Sequence, residues 1–406
     1  MPKIVRVWGD IIHDSRGDQT VQATVQTDSG LIGSSAIPAG ASKGAYEAAT
    51  VDTAQAVKNI NEIIDSAVRG IEVTDQAGID QKLLELDGTA NKSKLGANSI
   101  LGVSMSASRA GAKSRNLELY EYIGLIDNRS SFTIPIPMFN LINGGKHAEN
   151  NLDIQEFMVI PDRIKGYHNQ LSAGQLIFTT LGQILDADHV VRSFGDEGGY
   201  APNLDTNEMA CDYLVRAIKD SGYKKWDEVS IGLDVAASSV SPTFDMTPSR
   251  YLGFLQDFPI LSLEDPFPEE DWDNWSRFLG QVEKTIASDK KLLLVGDDLF
   301  VTNPDRLARG IAENSANAIL VKLNQIGTVT ETLAVVEMAR KAGMVVIVSH
   351  RSGETLDDYI ADFAVGIGAQ FIKTGAPNEN HPERMTKYRR LITIEQKLAS
   401  KAVNAA

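Results

Sequence analysis

The second half of the chain sets three acids, two lysines, an arginine and a histidine at the ends of short apolar runs. IGLDVAA reaches Asp234, PILSLED reaches Glu264 and LLLVGDD reaches Asp297. AILVKL carries Lys322, VVIVSHRS carries His350, Arg351 and Ser352, and FIKTG carries Lys373. Carboxylates are the hard oxygen donors that Mg²⁺ prefers. A lysine near a buried strand end can be desolvated far enough to act as a base. Arginine offers a two-pronged fork to a carboxylate or phosphate. One acid after one strand is more simply a helix cap or salt-bridge partner; three at successive strand ends favour a metal. Together these residues point to a metal-assisted site with cationic anchors.

Two glycine-flanked segments add candidates. GDEGGYAPN (195–203) holds Asp196 and Glu197 where backbone can approach a ligand closely, so an acid there can serve as a proton donor. It lacks the GK[ST] ending of a P-loop. NGGKHAEN (143–150) presents His147 in the same manner. Cys211 and six scattered histidines give no zinc pattern, and His13, His168, His189 and His381 read as structural or surface residues.

The elements that must position these groups follow from apolar patterning. Eight strand-like runs lie near 136–142, 154–160, 230–236, 259–264, 292–297, 318–323, 344–349 and 370–374. They are β-branched-rich, as fully buried parallel strands are. Most are separated by enough residues for a helix, which predicts a β/α barrel with its site at the strand C-termini. About a dozen residues separate the first two, short for a parallel crossover, so an antiparallel pair is expected there and the barrel is irregular. Before a polar break at 127–135, TVQATVQ (20–26) alternates as a half-buried strand and pairs across TDSG with LIGSSAI. Helical patterns near 52–69, 75–86 and 95–115 complete an α+β unit. The last is rich in Gly, Ala and Ser and should pack closely. The expected division is 1–128 for this unit and 133–406 for the barrel.

Length and charge narrow the function classes. A chain of 406 residues suits one small domain plus one barrel. The net charge of −15 argues against nucleic acid as the main partner, though local cations can still gather a small anionic substrate. The single cysteine fits a reducing cytosol. The amino-terminal stretch has no signal-peptide core and no 18-residue apolar run follows, so a cytoplasmic protein without membrane insertion is expected.

Taken in order, DSRG (14–17), GAS-x-G-x-x-EA (40–48), IPMFNLINGGKHAENNLDIQEFM (136–158), GDEGGYAPN, LDVAAS (233–238), SLEDPFPEEDW (262–272), GDDLFVTNP (296–304), KLNQIGT (322–328), SHRSGET (349–355) and KTGAP (373–377) resemble the enolase family along nearly the whole chain. The resemblance implies reversible dehydration of 2-phosphoglycerate to phosphoenolpyruvate by a homodimer or higher homo-oligomer. Matched residue by residue, it implies Lys322 as the base and Glu197 as the acid. It implies Asp234, Glu264 and Asp297 on a tightly held Mg²⁺, and Ser42 on a second. His147, Gln155, Glu156, His350, Arg351, Ser352 and Lys373 would surround the substrate.

The sequence also departs from the family pattern. AGASK (39–43) stands where members usually read SGAST, the GD…GKG stretch after EAA (47–49) is missing, and SVSPTFDMTPSRY (239–251) is short. DSRGDQTVQ replaces DSRGNPTVE. With the catalytic set intact and the covering segments altered, the alternative is a paralogue performing related enolate chemistry on another phosphorylated or phosphonylated carboxylate.

Overall fold

The computed structural model describes residues 1–40, 44–190, 193–240, 244, 247–285 and 292–405. Three strands, β1 (Ile4–His13), β2 (Gln19–Thr27) and β3 (Ile32–Ala36), form an antiparallel sheet in that order. The alternation in β2 places Val21, Ala23 and Val25 in the core. Its other face is covered too, contrary to a half-buried reading. Thr20 donates its hydroxyl to the Ile37 carbonyl at 2.5 Å, and Thr24 meets Ser34 at 2.9 Å. Short hydroxyl side chains can be buried in this way because each finds a partner.

The small residues of the helix Ala97–Ser114 let it lie directly on this sheet. A Cβ at Gly33 would sit 2.1 Å from the Ser106 carbonyl oxygen, so no larger residue fits. Ser106 in turn donates to the Ala23 carbonyl at 2.8 Å. The helical pattern near 52–69 forms as expected but contains a π-helical stretch, Asn59–Ile64.

All eight expected barrel strands form: β4 (Ile136–Asn143), β5 (Glu156–Ile160), β6 (Ser230–Asp234), β7 (Ile260–Glu264), β8 (Leu293–Gly296), β9 (Ala318–Val321), β10 (Val345–Ser349) and β11 (Phe371–Lys373). They close in the order β10-β11-β4-β5-β6-β7-β8-β9. β4 and β5 pair antiparallel, as the short link requires. β5 is therefore antiparallel to β6 as well, and every other neighbouring pair is parallel. Met138, Met158, Ile160, Leu293, Val295, Ala318, Leu320 and Ile347 form one apolar cluster of strand residues, separate from the larger one shared by strands and surrounding helices. Among the described residues, no helix is long and apolar enough to cross a membrane.

Candidate active site

The reversal of β5 decides which residues share the barrel mouth. In seven strands the C-terminal end faces this rim, whereas β5 presents its N-terminal end. Glu156, the first residue of β5, is consequently in register with Asn143 at the end of β4 and Asp234 at the end of β6. His147, Gln155, Glu156, Glu197, Asp234, Asp297, Lys322, His350, Arg351, Ser352 and Lys373 line one cavity there. Glu264 is fully buried and reaches Lys373 without lining the cavity. Ser42, together with Lys43, lies outside the described residues.

Lys373 is the hub of the site. Its ammonium lies 3.0 Å from Glu156, 3.2 Å from Asp234 and 2.8 Å from Glu264. Burial works to lower its pKa, but these three acids hold it well above the usual lysine value. The acids remain crowded. Burial and then Asp234 raise Glu264 well above the carboxylate range, and burial and then Glu197 do the same to Glu156. Lys322 donates to Asp297 at 2.5 Å. Burial opposes its charge, yet Asp297 outweighs burial and raises the lysine. Asp297 moves the other way, because Lys322 overcomes the effect of burial.

On the opposite wall, the GDEGG turn carries Glu197 inward. Gly198 has φ of +82°, and a Cβ at Gly199 would lie 2.4 Å from Asn143 Oδ1, so both positions favour glycine. Asn140 donates its side-chain amide to Glu197 Oε2 at 3.0 Å. His147 Nδ1 stands 3.6 Å from both Glu156 and Glu197. Burial alone would raise Glu197, but His350 and His147 hold it well below the ordinary range. Burial drives His350 itself down to about 4. Near neutral pH, His350 therefore faces Glu197 as a neutral ring and not as a cation, with Nε2 3.2 Å from Glu197 Oε1. Arg351 meets Glu47 in a two-pronged pair, at 3.1 and 3.3 Å, and donates to Asn324 at 3.2 Å.

The donor chemistry fits a hard divalent cation. Oxygens of Glu264, Asp265 and Asp297 all lie within 4.8 Å of one another and are buried, and Asp234 shares Lys373 with Glu264. Two ammonium groups face more acids than they can neutralise, and no sulfur or imidazole stands in this group.

Sequence reasoning missed several contributors. Asp265 accepts the backbone N–H groups of Asp297 and Asp298, at 3.1 and 2.7 Å, and so aims the end of β8. It does this with φ of +41°, a strained backbone for a residue other than glycine. Burial and then Asp298 raise its own carboxyl well above the usual range. Gln325 donates to Asp297 at 3.1 Å and accepts from Thr302 at 2.6 Å; the Thr302 hydroxyl in turn accepts the Lys322 backbone N–H at 3.0 Å. The doubled acids in SLED and GDD were the available signal for Asp265 and Asp298. Gln325 and Thr302 carried none.

Comparison with known proteins supplies independent findings. The family described as Enolase, N-terminal domain, matches residues 4–123. Enolase, C-terminal TIM barrel domain, matches 131–247 and 241–406, two stretches that overlap at 241–247. A curated relative named Enolase, from Natranaerobius thermophilus, is 44% identical over 98% of this chain and 96% of its own length.

Proposed function

The chain belongs to the enolase family, and from that membership we propose that it catalyses the reversible, Mg²⁺-dependent dehydration of 2-phosphoglycerate to phosphoenolpyruvate. The observation that carries this reading is the opposition of two walls across one cavity: Lys322 with Asp297 on one, Glu197 with Glu156 on the other.

On this reading, Lys322 removes the proton next to the substrate carboxylate, and the hydroxyl on the neighbouring carbon leaves as water with a proton from the acid wall. A proton beside a carboxylate is weakly acidic, because its removal adds charge to a group already negative. Asp234, Glu264 and Asp297 would hold a Mg²⁺, supported by Asp265, and Ser42 would serve a second. As in enolase-superfamily sites generally, a Mg²⁺ held there would supply fixed positive charge to offset the charge gained by the substrate carboxylate. Lys373 adds to it from the protein side.

The directions of the pKa shifts support a division of labour. Lys322 is an ammonium while Asp297 faces it. Burial, Arg351 and Lys373 all act in the opposite direction, toward a neutral amine that can serve as a base. Glu197 and Glu156 are pushed in opposite directions, so the pair retains a proton on the Glu156 side that the acid wall can draw on. Arg351, Ser352, His350, His147 and Gln155 would surround the substrate, with Arg351 taking its phosphate.

The proposal extends to a division at 1–128 and 133–406, a homodimer or higher homo-oligomer, and a cytoplasmic setting, which the lone buried Cys211 supports. The test is Mg²⁺-dependent formation of phosphoenolpyruvate from 2-phosphoglycerate, followed by ultraviolet absorbance with and without chelator. Chelator-sensitive turnover is expected. Folded, Mg²⁺-loaded protein that gives no turnover would overturn the assignment and direct the search to other phosphorylated carboxylates.

A further inference from the structure

Arg384 is the largest charged side chain sealed inside the described structure. It lies in the first turn of the helix Pro382–Ala405 with 0% exposure. A buried guanidinium is costly unless its donors are used. Here Nη1 donates to the Arg351 carbonyl at 2.7 Å, and Nη2 donates to the carbonyls of Asp196 and Ser352 at 3.0 and 2.6 Å. One side chain thus ties the GDEGG turn to the chain that follows β10. Nε lies 3.3 Å from the Glu383 carboxylate, which stays outside this network.

The remaining contact has a chemical consequence. Arg384 Nη1 lies 2.7 Å from His350 Nδ1. Guanidinium has donors only. Nδ1 must therefore be the acceptor, because a proton on it would set two donors against each other. The imidazole proton is left on Nε2, which lies 3.2 Å from Glu197 Oε1 and off the ideal hydrogen-bond line. Burial favours the same neutral ring and outweighs the opposing pull of Glu197.

We propose that Arg384 is a positioning residue for the acid half of the reaction: it fixes His350 as the Nε2–H tautomer and thereby aims a neutral donor at Glu197. The proposal rests on the reading of Glu197 as the acid-wall group. Arg384 touches no reacting atom and acts through His350. Lys322 stands on the other wall, so removal of the substrate C2 proton does not depend on this tautomer, whereas loss of the hydroxyl does.

The experiment uses the full-length, Mg²⁺-loaded chain. Nitrogen-15 NMR of histidine-labelled protein, with His350 assigned by its loss in His350→Gln, reads the tautomer directly. The parent should show a protonated Nε2 and a bare Nδ1 near neutral pH. A protonated Nδ1 in the parent would overturn the proposal without any Arg384 variant. In Arg384→Met, which keeps length and removes the donors, a protonated Nδ1 should appear at His350. The kcat for dehydration should fall about 10²-fold with little change in KM, while C2-proton exchange into deuterated water continues. Arg384→Lys, which retains a donor, should recover part of the loss. Parallel loss of exchange and dehydration would show a general structural role and reject the proposal, as would a tautomer unchanged in Arg384→Met. Glu197→Gln separates the two readings. If it leaves dehydration intact, the acid assignment fails; if it abolishes dehydration while Arg384→Met does not, only the role of Arg384 fails.

Discussion

Replacing Lys373 with methionine tests the electrostatic core of the site. The substitution keeps an unbranched, apolar stem and removes an ammonium that contacts Glu156, Asp234 and Glu264 within 3.2 Å. Breaking a buried pair by deleting one partner costs about 3–5 kcal/mol. The three pairs share one cation and sit in one network, so their losses do not add, and about 3–5 kcal/mol is also the expected total. The cost should depend on pH. Glu264 and Glu156 already have folded-state pKa values well above the carboxylate range, with burial the leading cause. A raised folded pKa means that the folded state binds a proton that the unfolded chain has released. Stability is then present below the unfolded pKa and is lost as pH rises through the folded one. In chelator, the variant should approach the parent in mild acid and fall furthest behind above neutrality. Mg²⁺ at about 100 times its dissociation constant should restore about 2.7 kcal/mol. Urea unfolding followed by intrinsic tryptophan fluorescence, with chelator or with Mg²⁺, reads all three effects, and the fully buried Trp275 reports on the barrel. A variant within about 1 kcal/mol of the parent in chelator at alkaline pH would refute the argument, since it would show that the acids do not need Lys373.

Three further outcomes are expected. Lys322→Ala should reduce C2-proton exchange and dehydration together by at least about 10²-fold, and exchange into deuterated water retained by proton NMR of the substrate would remove Lys322 as the base. Asp265→Asn leaves one side-chain oxygen to serve the two N–H groups at 297 and 298, and should weaken Mg²⁺ binding about 10-fold or more by calorimetry; unchanged affinity would mean that the end of β8 does not need this support. Cys211 is fully buried and its thiol is pushed well above the usual value by burial, so it should react with a disulfide reagent only on unfolding, and rapid modification of the native chain would contradict the packing.

Much of the barrel was legible because its strands are apolar runs closed by polar residues, a pattern that survives without any knowledge of neighbours. β8 and β9 show this: four buried residues each, followed directly by the acids at 297 and 298 or by Lys322. β1 was not anticipated, because its mixed, half-exposed pattern carries no clean period. The second polar-facing row of β2 looked solvent-facing, because Thr20 and Thr24 find their partners 17 and 10 residues away along the chain, respectively. Within the site, residues whose chemistry is overt were legible. Gln325, Thr302 and Arg384 were not, since an amide, a hydroxyl and a helical arginine are ordinary until the fold buries them against a catalytic group.

The sequence by itself determined the inventory: acids, lysines and an arginine at strand ends, a short link that forced β4 and β5 antiparallel, and a helix of small residues able to lie on a sheet. These are local properties, set by side-chain size, chain length and apolar period. The tertiary structure decided which groups meet. Only closure of the barrel brings Lys373 against three carboxylates from three other strands, puts the start of the reversed β5 beside the ends of β4 and β6, and seats Arg384 on His350. The pKa shifts follow from the same closure, because desolvation and charge coupling depend on distances across the mouth that no spacing along the chain specifies.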